Sequence, residues 1–313
     1  MNWISEMREG DRISDIYLCK TKVNARTKNG KSYYSLVLQD KTGVIDAKIW
    51  DLSSGIDHFE AMDYVHIDGE VSVYQGSNQL NIRRLRRASS GEYNEADFVP
   101  VTPYDRREMA KQLNALINSV QDEWYHELLS SFFQKDRDFA VQFVNHSAAK
   151  TLHHGFMGGL LQHTLGVARL CDFYCMQYPK LNRDLLITGA LCHDIGKVRE
   201  LSPFPRNDYT DEGQLIGHIV IGYHMVMDRI QQIPGFPEKK ANELGHLILA
   251  HHGELEFGSP KKPALLEAIA LNFADNTDAK LEMAGEILDN AVNDSDWLGF
   301  QRPLDSNFRK TSE

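Results

Sequence analysis

The chain has 313 residues, 42% of them apolar and 25% charged, which is ordinary globular usage with ample apolar surface for about two domains. A net charge of −10 argues against nonspecific binding of nucleic acid over the whole surface, and no run approaches the ~18 apolar residues of a membrane span. Four cysteines are too few for a disulfide scaffold and Met1–Glu6 lacks the layout of a signal peptide, so a reducing cytoplasm is the expected compartment.

Residues 11–87 read as strands. Ile13, Tyr17, Val23, Leu36, Val37, Leu38, Ile45 and Ile49 lie in short β-rich runs. Asn29-Gly30 and Asp40-Lys41-Thr42-Gly43 are turn signals, and residues 53–62 suit a short helix or a loop. Two more strands, Tyr64–Tyr74 and Gln79–Leu85, are joined around Gly76-Ser77-Asn78. Five strands with a short insertion between the third and fourth predict a small OB-type β-barrel over residues 1–90.

Such barrels commonly hold single strands by stacking bases on aromatics and tracking the backbone with cations. Candidates are Tyr33, Trp50 and Tyr74, with Lys31, Arg83, Arg84, Arg86 and Arg87. Alternation places Tyr33 and Tyr34 on opposite faces, so at most one of them meets a ligand. Barrels also fill their interiors with aromatics, and an arginine cluster can be a solvated edge. Four arginines in five positions exceed what solubility needs, which favours binding.

Residues 91–104, with Gly91, Pro100 and Pro103, read as a linker. From Asp105 the period becomes helical, with Met109, Leu113, Leu116, Ile117 and Val120 on one face. A helical connector over 105–150 leads into an all-α domain over 151–290, interrupted by a loop or hairpin at residues 201–214. The apolar faces of the connector suit either self-association into a homo-oligomer or packing within one chain. The tail, 291–313, has no clear period.

Ten of the 13 histidines fall between His146 and His252. His163 lies on the apolar stripe of Leu160, Val167 and Leu170. His193-Asp194 continues the stripes of Leu186 and Ala190 and of Ile187 and Leu191. Asp275 continues that of Ala268 and Leu271, and His251-His252 follows Leu244, Leu247 and Ile248. His218 opens a further helix. A single such histidine is more often a satisfied core imidazole. Carboxylates on buried faces are expensive unless paired or metal-bound, and two of them among imidazoles point to a cation. Imidazole nitrogen and carboxylate oxygen suit zinc, manganese or iron, and the lack of thiolates argues against a structural zinc cage. Lys197, one turn after His193, reads equally as a phosphate contact or a solvated helix end. His154 reads as a substrate contact or, with more weight, as a helix-end residue. Cys171, Cys175 and Cys192 read as packing residues.

The order His163, His193-Asp194, Asp275, with Gly158-Gly159-Leu160-Leu161-Gln162-His163-Thr164 around the first, resembles the HD superfamily of metal-dependent phosphohydrolases. The resemblance implies that these four residues hold a metal and that His218, His251 and His252 complete a second site. Two ions ~3.5–4 Å apart would clamp the attacking and leaving oxygens of a phosphodiester. With the barrel, the Asn29-Gly30-Lys31 word and Ala250-His251-His252-Gly253-Glu254-Leu255-Glu256-Phe257-Gly258-Ser259-Pro260, the chain resembles the YhaM-type 3′-to-5′ exoribonucleases over residues 1–290. That resemblance implies hydrolysis of single-stranded RNA from its 3′ end to nucleoside 5′-monophosphates, some activity on single-stranded DNA, and a divalent cofactor, usually Mn²⁺, as one or two ions. Asp194 and Lys197 would be the catalytic pair, with no membrane partner. The alternatives are an HD-type nucleotide or cyclic-dinucleotide phosphohydrolase, and a strand-binding protein without catalysis.

Overall fold

A computed structural model of the chain describes residues 1–27, 30–74, 77–150, 155–289 and 295–312. It divides into two units, Met1–Val101 with Phe204–Arg206, and Thr102–Pro203 with Asn207–Glu313.

In the first unit β1 (Arg12–Arg26), β2 (Ser32–Asp40), β3 (Gly43–Ile49), β4 (Tyr64–Tyr74) and β5 (Ser77–Arg87) close into an OB-type barrel in the order β1-β2-β3-β5-β4. β1 serves two neighbours. Arg12–Leu18 pairs antiparallel with β4, and Leu18–Arg26 pairs with β2 across a bulge between Cys19 and Thr21. β3 and β5 run parallel because residues 50–63 cross from β3 to the antiparallel β4, which then leads into β5 between them. Side chains at every second position fill the interior: Leu36 and Leu38 on β2, Ile45, Ala47 and Ile49 on β3, Val65 and Ile67 on β4. The Asp40–Gly43 turn forms because Asp40 Oδ1 accepts from the Thr42 and Gly43 N–H groups at 2.7 and 3.1 Å. Lys28, Asn29 and Gly76 of the two other expected turn regions lie outside the described residues.

Residues 53–62 form a loop without helix, pinned by fully buried Phe59 and by a bridge from Ile56 to Leu85. The segment read as a linker carries a 3₁₀ turn, Glu95–Asp97, and buries Phe98 and Val99. Tyr93 stacks on Tyr64 with 4.0 Å between centroids, and Gln39 Nε2 donates to the Phe98 carbonyl at 2.9 Å. Ser, Gly and Pro around these rings mask them in the sequence.

The second unit is built from α1 (Arg106–Ser119), α2 (Glu123–Ser130), α3 (Arg137–Asn145), α4 (Gly159–Gln177), α5 (Arg183–Cys192), α6 (Lys197–Glu200), α7 (Asp211–Leu215), α8 (His218–Gln231), α9 (Glu238–Ala250) and α10 (Leu266–Asp289). Asp105, Asp122, Asp136 and Asn182 cap α1, α2, α3 and α5 by accepting from N–H groups of the first turn. One core joins these helices apart from α7. Met109, Leu113, Leu128 and Phe143 of the connector pack with Leu161, Leu165, Ile187, Leu247 and Leu271. The apolar faces of residues 105–150 are therefore buried within the chain. Residues 201–214 hold a bridge between Leu201 and Tyr209 before α7 begins. The tail, read as aperiodic, forms a hairpin of β6 (Trp297–Gln301) and β7 (Ser306–Arg309). Strands this short carry too few alternations to register as a period. No helix among the described residues is long and apolar enough to cross a membrane.

Candidate metal centre

Helix ends deliver most of the cluster. α5 stops at His193, which caps it, and Asp194 follows in the turn to α6. α8 opens on His218, and α9 ends at His251, followed by His252. His163 projects from α4 and Asp275 from α10. Two close approaches depend on glycine. A Cβ on Gly166 would lie 2.0 Å from Asp278 Oδ1, and one on Gly196 would lie 2.0 Å from the His218 carbonyl oxygen. A larger residue at 166 would displace the Asp278 carboxylate, and one at 196 would push the α8 backbone from the Asp194 turn.

The donors form two adjoining triads. One atom each from His163, His193 and Asp275 lie within 4.8 Å of one another, and so, as a separate group, do one each from His218, His251 and His252. Asp194 stands between them. Its Oδ2 is 3.4 and 3.5 Å from Nε2 of His163 and His193, and its Oδ1 is 3.4 and 3.7 Å from Nε2 of His218 and His251. Each carboxylate oxygen faces a different triad.

The opposite ring nitrogens decide which atoms point inward. Nδ1 of His193, His251 and His252 lies 2.8, 2.7 and 2.9 Å from the carbonyl oxygens of Ala190, Ile248 and Phe257. A carbonyl only accepts, so Nδ1 carries the proton in these rings and Nε2 offers a lone pair. Nδ1 of His163 meets Asp278 Oδ2 at 2.7 Å and Nδ1 of His218 meets Glu200 Oε1 at 2.9 Å, which orients those rings alike.

The chemistry of this set fits a divalent cation. Asp194 Oδ1, His218 Nε2 and His251 Nε2 are buried without a hydrogen-bond partner. Leaving such atoms unsatisfied costs about 1–3 kcal/mol each, and a cation among them removes that cost. Burial keeps His193 below the ordinary imidazole range and His251 well below it. His163 goes the other way. Burial opposes its charge, but hydrogen bonds to Asp194, Asp275 and Asp278 hold it well above that range. Burial likewise works against a charged Asp194, yet the Lys197 ammonium and the neighbouring imidazoles keep it well below the usual carboxylate range. Lys197 is not a solvated helix end. Its side chain is 16% exposed and its Nζ sits 2.6 Å from Asp194 Oδ2.

The cluster opens into a cleft of about 1070 Å³ whose walls include His163, Lys197, His252, Asn272, Asp275 and Lys280. Sequence reasoning missed Asp278 and Glu200. Each lies three residues beyond a noticed one, Asp275 and Lys197, and that spacing on one helix face is the signal that could have found them. Cys171 and Cys192 are buried in the core, as read, and Cys175 packs at its edge.

The barrel candidates are less concentrated. Tyr33 stacks on Trp50 with 4.6 Å between centroids, and Trp50 Nε1 donates to Asn81 Oδ1 at 2.9 Å. Tyr34 points to the other face and meets Phe59 edge-on at 5.9 Å. Tyr74 is exposed, with no ring contact among the described residues, and Lys31 is exposed. Arg83, Arg86 and Arg87 pair with Glu70, Glu92 and Asp63 at 3.1, 2.8 and 3.1 Å. Arg84 has no ion pair among the described residues, so the cluster is mostly neutralised by cross-strand and loop acids. His154 lies outside the described residues.

Buried histidines and aspartates in this order and geometry define an HD-type metal-dependent domain, and the family model described as "HD domain" matches residues 160–280. A 3′-5′ exoribonuclease YhaM from Listeria welshimeri is 34% identical over 89% of this chain and 88% of its own, and one from Bacillus velezensis is 34% identical over 90% and 88%. The chain belongs to the YhaM family. Among solved structures, the second OB-fold domain of replication protein A from Methanococcus maripaludis is similar over 29% of this chain and 96% of that one, at 19% identity and a TM-score of 0.23, which is too low to carry an argument.

Proposed function

We propose that this chain is a metal-dependent 3′-to-5′ exoribonuclease that removes nucleoside 5′-monophosphates from single-stranded RNA. The observation that carries the reading is Asp194, whose two oxygens face two triads of imidazole and carboxylate donors while three inward-facing atoms lack partners. His163, His193, Asp194 and Asp275 would hold one ion, and His218, His251, His252 and the second Asp194 oxygen another. Mn²⁺ is the proposed ion, since nitrogen and oxygen donors suit it. When bound, such ions supply Lewis acidity to the scissile phosphate and its attacking water.

The chain's own groups then have defined tasks. Main-chain carbonyls and the carboxylates of Asp278 and Glu200 keep each Nε2 inward. Lys197 holds Asp194 ionised and places a fixed positive charge at the edge of the cleft, where the phosphate charge grows. Hydrolysis adds water oxygen to phosphorus and expels the 3′ oxygen of the preceding nucleotide with a proton, leaving a 5′-monophosphate. The barrel would hold the strand through Tyr33, Trp50, Tyr74, Lys31 and the Arg83–Arg87 cluster, and single-stranded DNA would be accepted to some degree. The relatives bearing the YhaM name and a cytoplasmic setting agree with this role.

The test is a time course on 5′-labelled single-stranded RNA with EDTA and then Mn²⁺. The expected result is a metal-dependent ladder shortening from the 3′ end. Intact RNA with turnover of nucleotides or a cyclic dinucleotide would overturn the reading in favour of a small-molecule phosphohydrolase.

A further inference from the structure

The cleft beside the metal centre has two walls that the metal chemistry does not use. Phe257 ends the short 3₁₀ turn Leu255–Phe257 and is 65% exposed. Phe273 lies on α10, two residues before Asp275, and is 58% exposed. Both line the same cleft as His163, His252 and Asp275. Large exposed aromatic rings on a water-filled cleft lose the gain of burial, so a ligand with a flat apolar face has something to cover.

The main chain that carries the first ring is braced from the metal side. The His252 Nδ1–H donates to the Phe257 carbonyl at 2.9 Å, and the Phe257 and Ser259 N–H groups donate to the Glu254 carbonyl at 3.1 and 3.3 Å. Gly258, at φ 88°, turns the chain back. The Phe257 main chain therefore sits at a fixed offset from a candidate metal ligand, and its ring projects into the cleft from there. On α10, Lys280 follows Phe273 by seven residues, on the same helix face and in the same cleft. It has no ion-pair partner among the described residues, whereas Lys262 nearby is held by Glu254 at 2.5 Å.

We infer that Phe257 and Phe273 form the seat of the 3′-terminal base, with Lys280 meeting the strand's phosphate charge. This rests on the exoribonuclease reading and deepens it. Stacking suits an enzyme that must accept every base in turn, because each base offers a π-face and no hydrogen-bond code is needed. The seat fixes the terminal nucleoside, and the phosphodiester on its 5′ side then falls at the Asp194 cluster. Phe257 and Phe273 are positioning residues. They hold substrate and do not touch the reacting bond.

The experiment compares two 5′-labelled RNA oligomers, one natural and one with an abasic 3′-terminal residue, in single-turnover digestion with Mn²⁺. The full-length wild-type chain should remove the natural residue about 10-fold faster at subsaturating enzyme, the scale of one lost stack. Phe257→Ala and Phe273→Ala should each slow the natural substrate towards the abasic rate while leaving the abasic rate unchanged. Phe257→Trp should restore discrimination. Neither alanine variant removes a core side chain, and the His252 contact is to a main-chain carbonyl, so Mn²⁺ titration should give wild-type metal binding. Wild type that degrades RNA from the 3′ end but treats both termini alike overturns the seat and leaves the exoribonuclease reading intact. Alanine variants that slow both substrates equally also overturn it. Wild type that trims neither oligomer overturns the exoribonuclease reading itself, and the seat with it.

Discussion

The two units handle polar side chains in opposite ways. In the barrel, three of the clustered arginines meet acids at 2.8–3.1 Å on an exposed surface, where such pairs contribute little and are easily remade. In the helical unit, five imidazoles, each oriented by a main-chain carbonyl or a further acid, are packed around two aspartates, and some inward atoms lack partners. An exposed cluster can be satisfied by its neighbours and water. A buried cluster with unsatisfied atoms at its centre is built around something absent from the chain. Function is thus legible from unmet bonding capacity more than from charge density.

The contrast can be broken most directly at Asp194. Asp194→Asn should abolish RNA cleavage and reduce binding at both metal sites, read by Mn²⁺ titration. It also strands the buried Lys197 ammonium, costing about 3–5 kcal/mol, read by denaturant unfolding of the metal-free protein. A variant that retains one full-affinity site would show that Asp194 does not serve both triads. Metal removal comes next. Calorimetry should show the helical unit's stability rising by about 1.4 kcal/mol per bound ion, about 2.7 kcal/mol for two, per tenfold increase in free Mn²⁺ above saturation, with the barrel's transition unmoved. Asp278→Ala and Glu200→Ala should each lower metal affinity about 10–100-fold without removing a donor atom. Equal affinity in both variants and wild type would mean that the rings are oriented without those acids. The smallest effect belongs to the barrel. Arg84→Ala should weaken RNA binding and lower its salt slope by about one, while Arg83→Ala and Arg86→Ala should do less, because their partners already neutralise them.

What the sequence discloses follows the same division. His163, His193, Asp194 and Asp275 are readable because each interrupts an apolar helical stripe, a pattern that survives without knowledge of partners. The barrel is readable from short β-rich runs and the Asp40–Gly43 turn. Asp278 and Glu200 are not, since an acid on a helix reads as surface until the opposite imidazole is known. The arginine cluster reads as a basic patch because Glu70 and Asp63 sit on or before a neighbouring strand, out of sight in a linear count. Phe98 and the β6–β7 hairpin escape for a related reason. Each is determined by pairing with a segment that its own composition does not announce.

The bulge between Cys19 and Thr21 lets one strand pair with β2 on one side and β4 on the other, so Arg12 lies opposite Glu70 and Leu18 opposite both Gln39 and Tyr64. The barrel cannot close until residues far apart in sequence have met. The helices of the other unit form from local bonds, although their docking, such as α10 on α4, also joins distant segments. Long-range strand pairing is slow because its loop entropy must be lost before any contact rewards it. Refolding should therefore return the local helical signal first and barrel closure later, the latter followed by Trp50 fluorescence in a variant that keeps Trp50 as its one tryptophan.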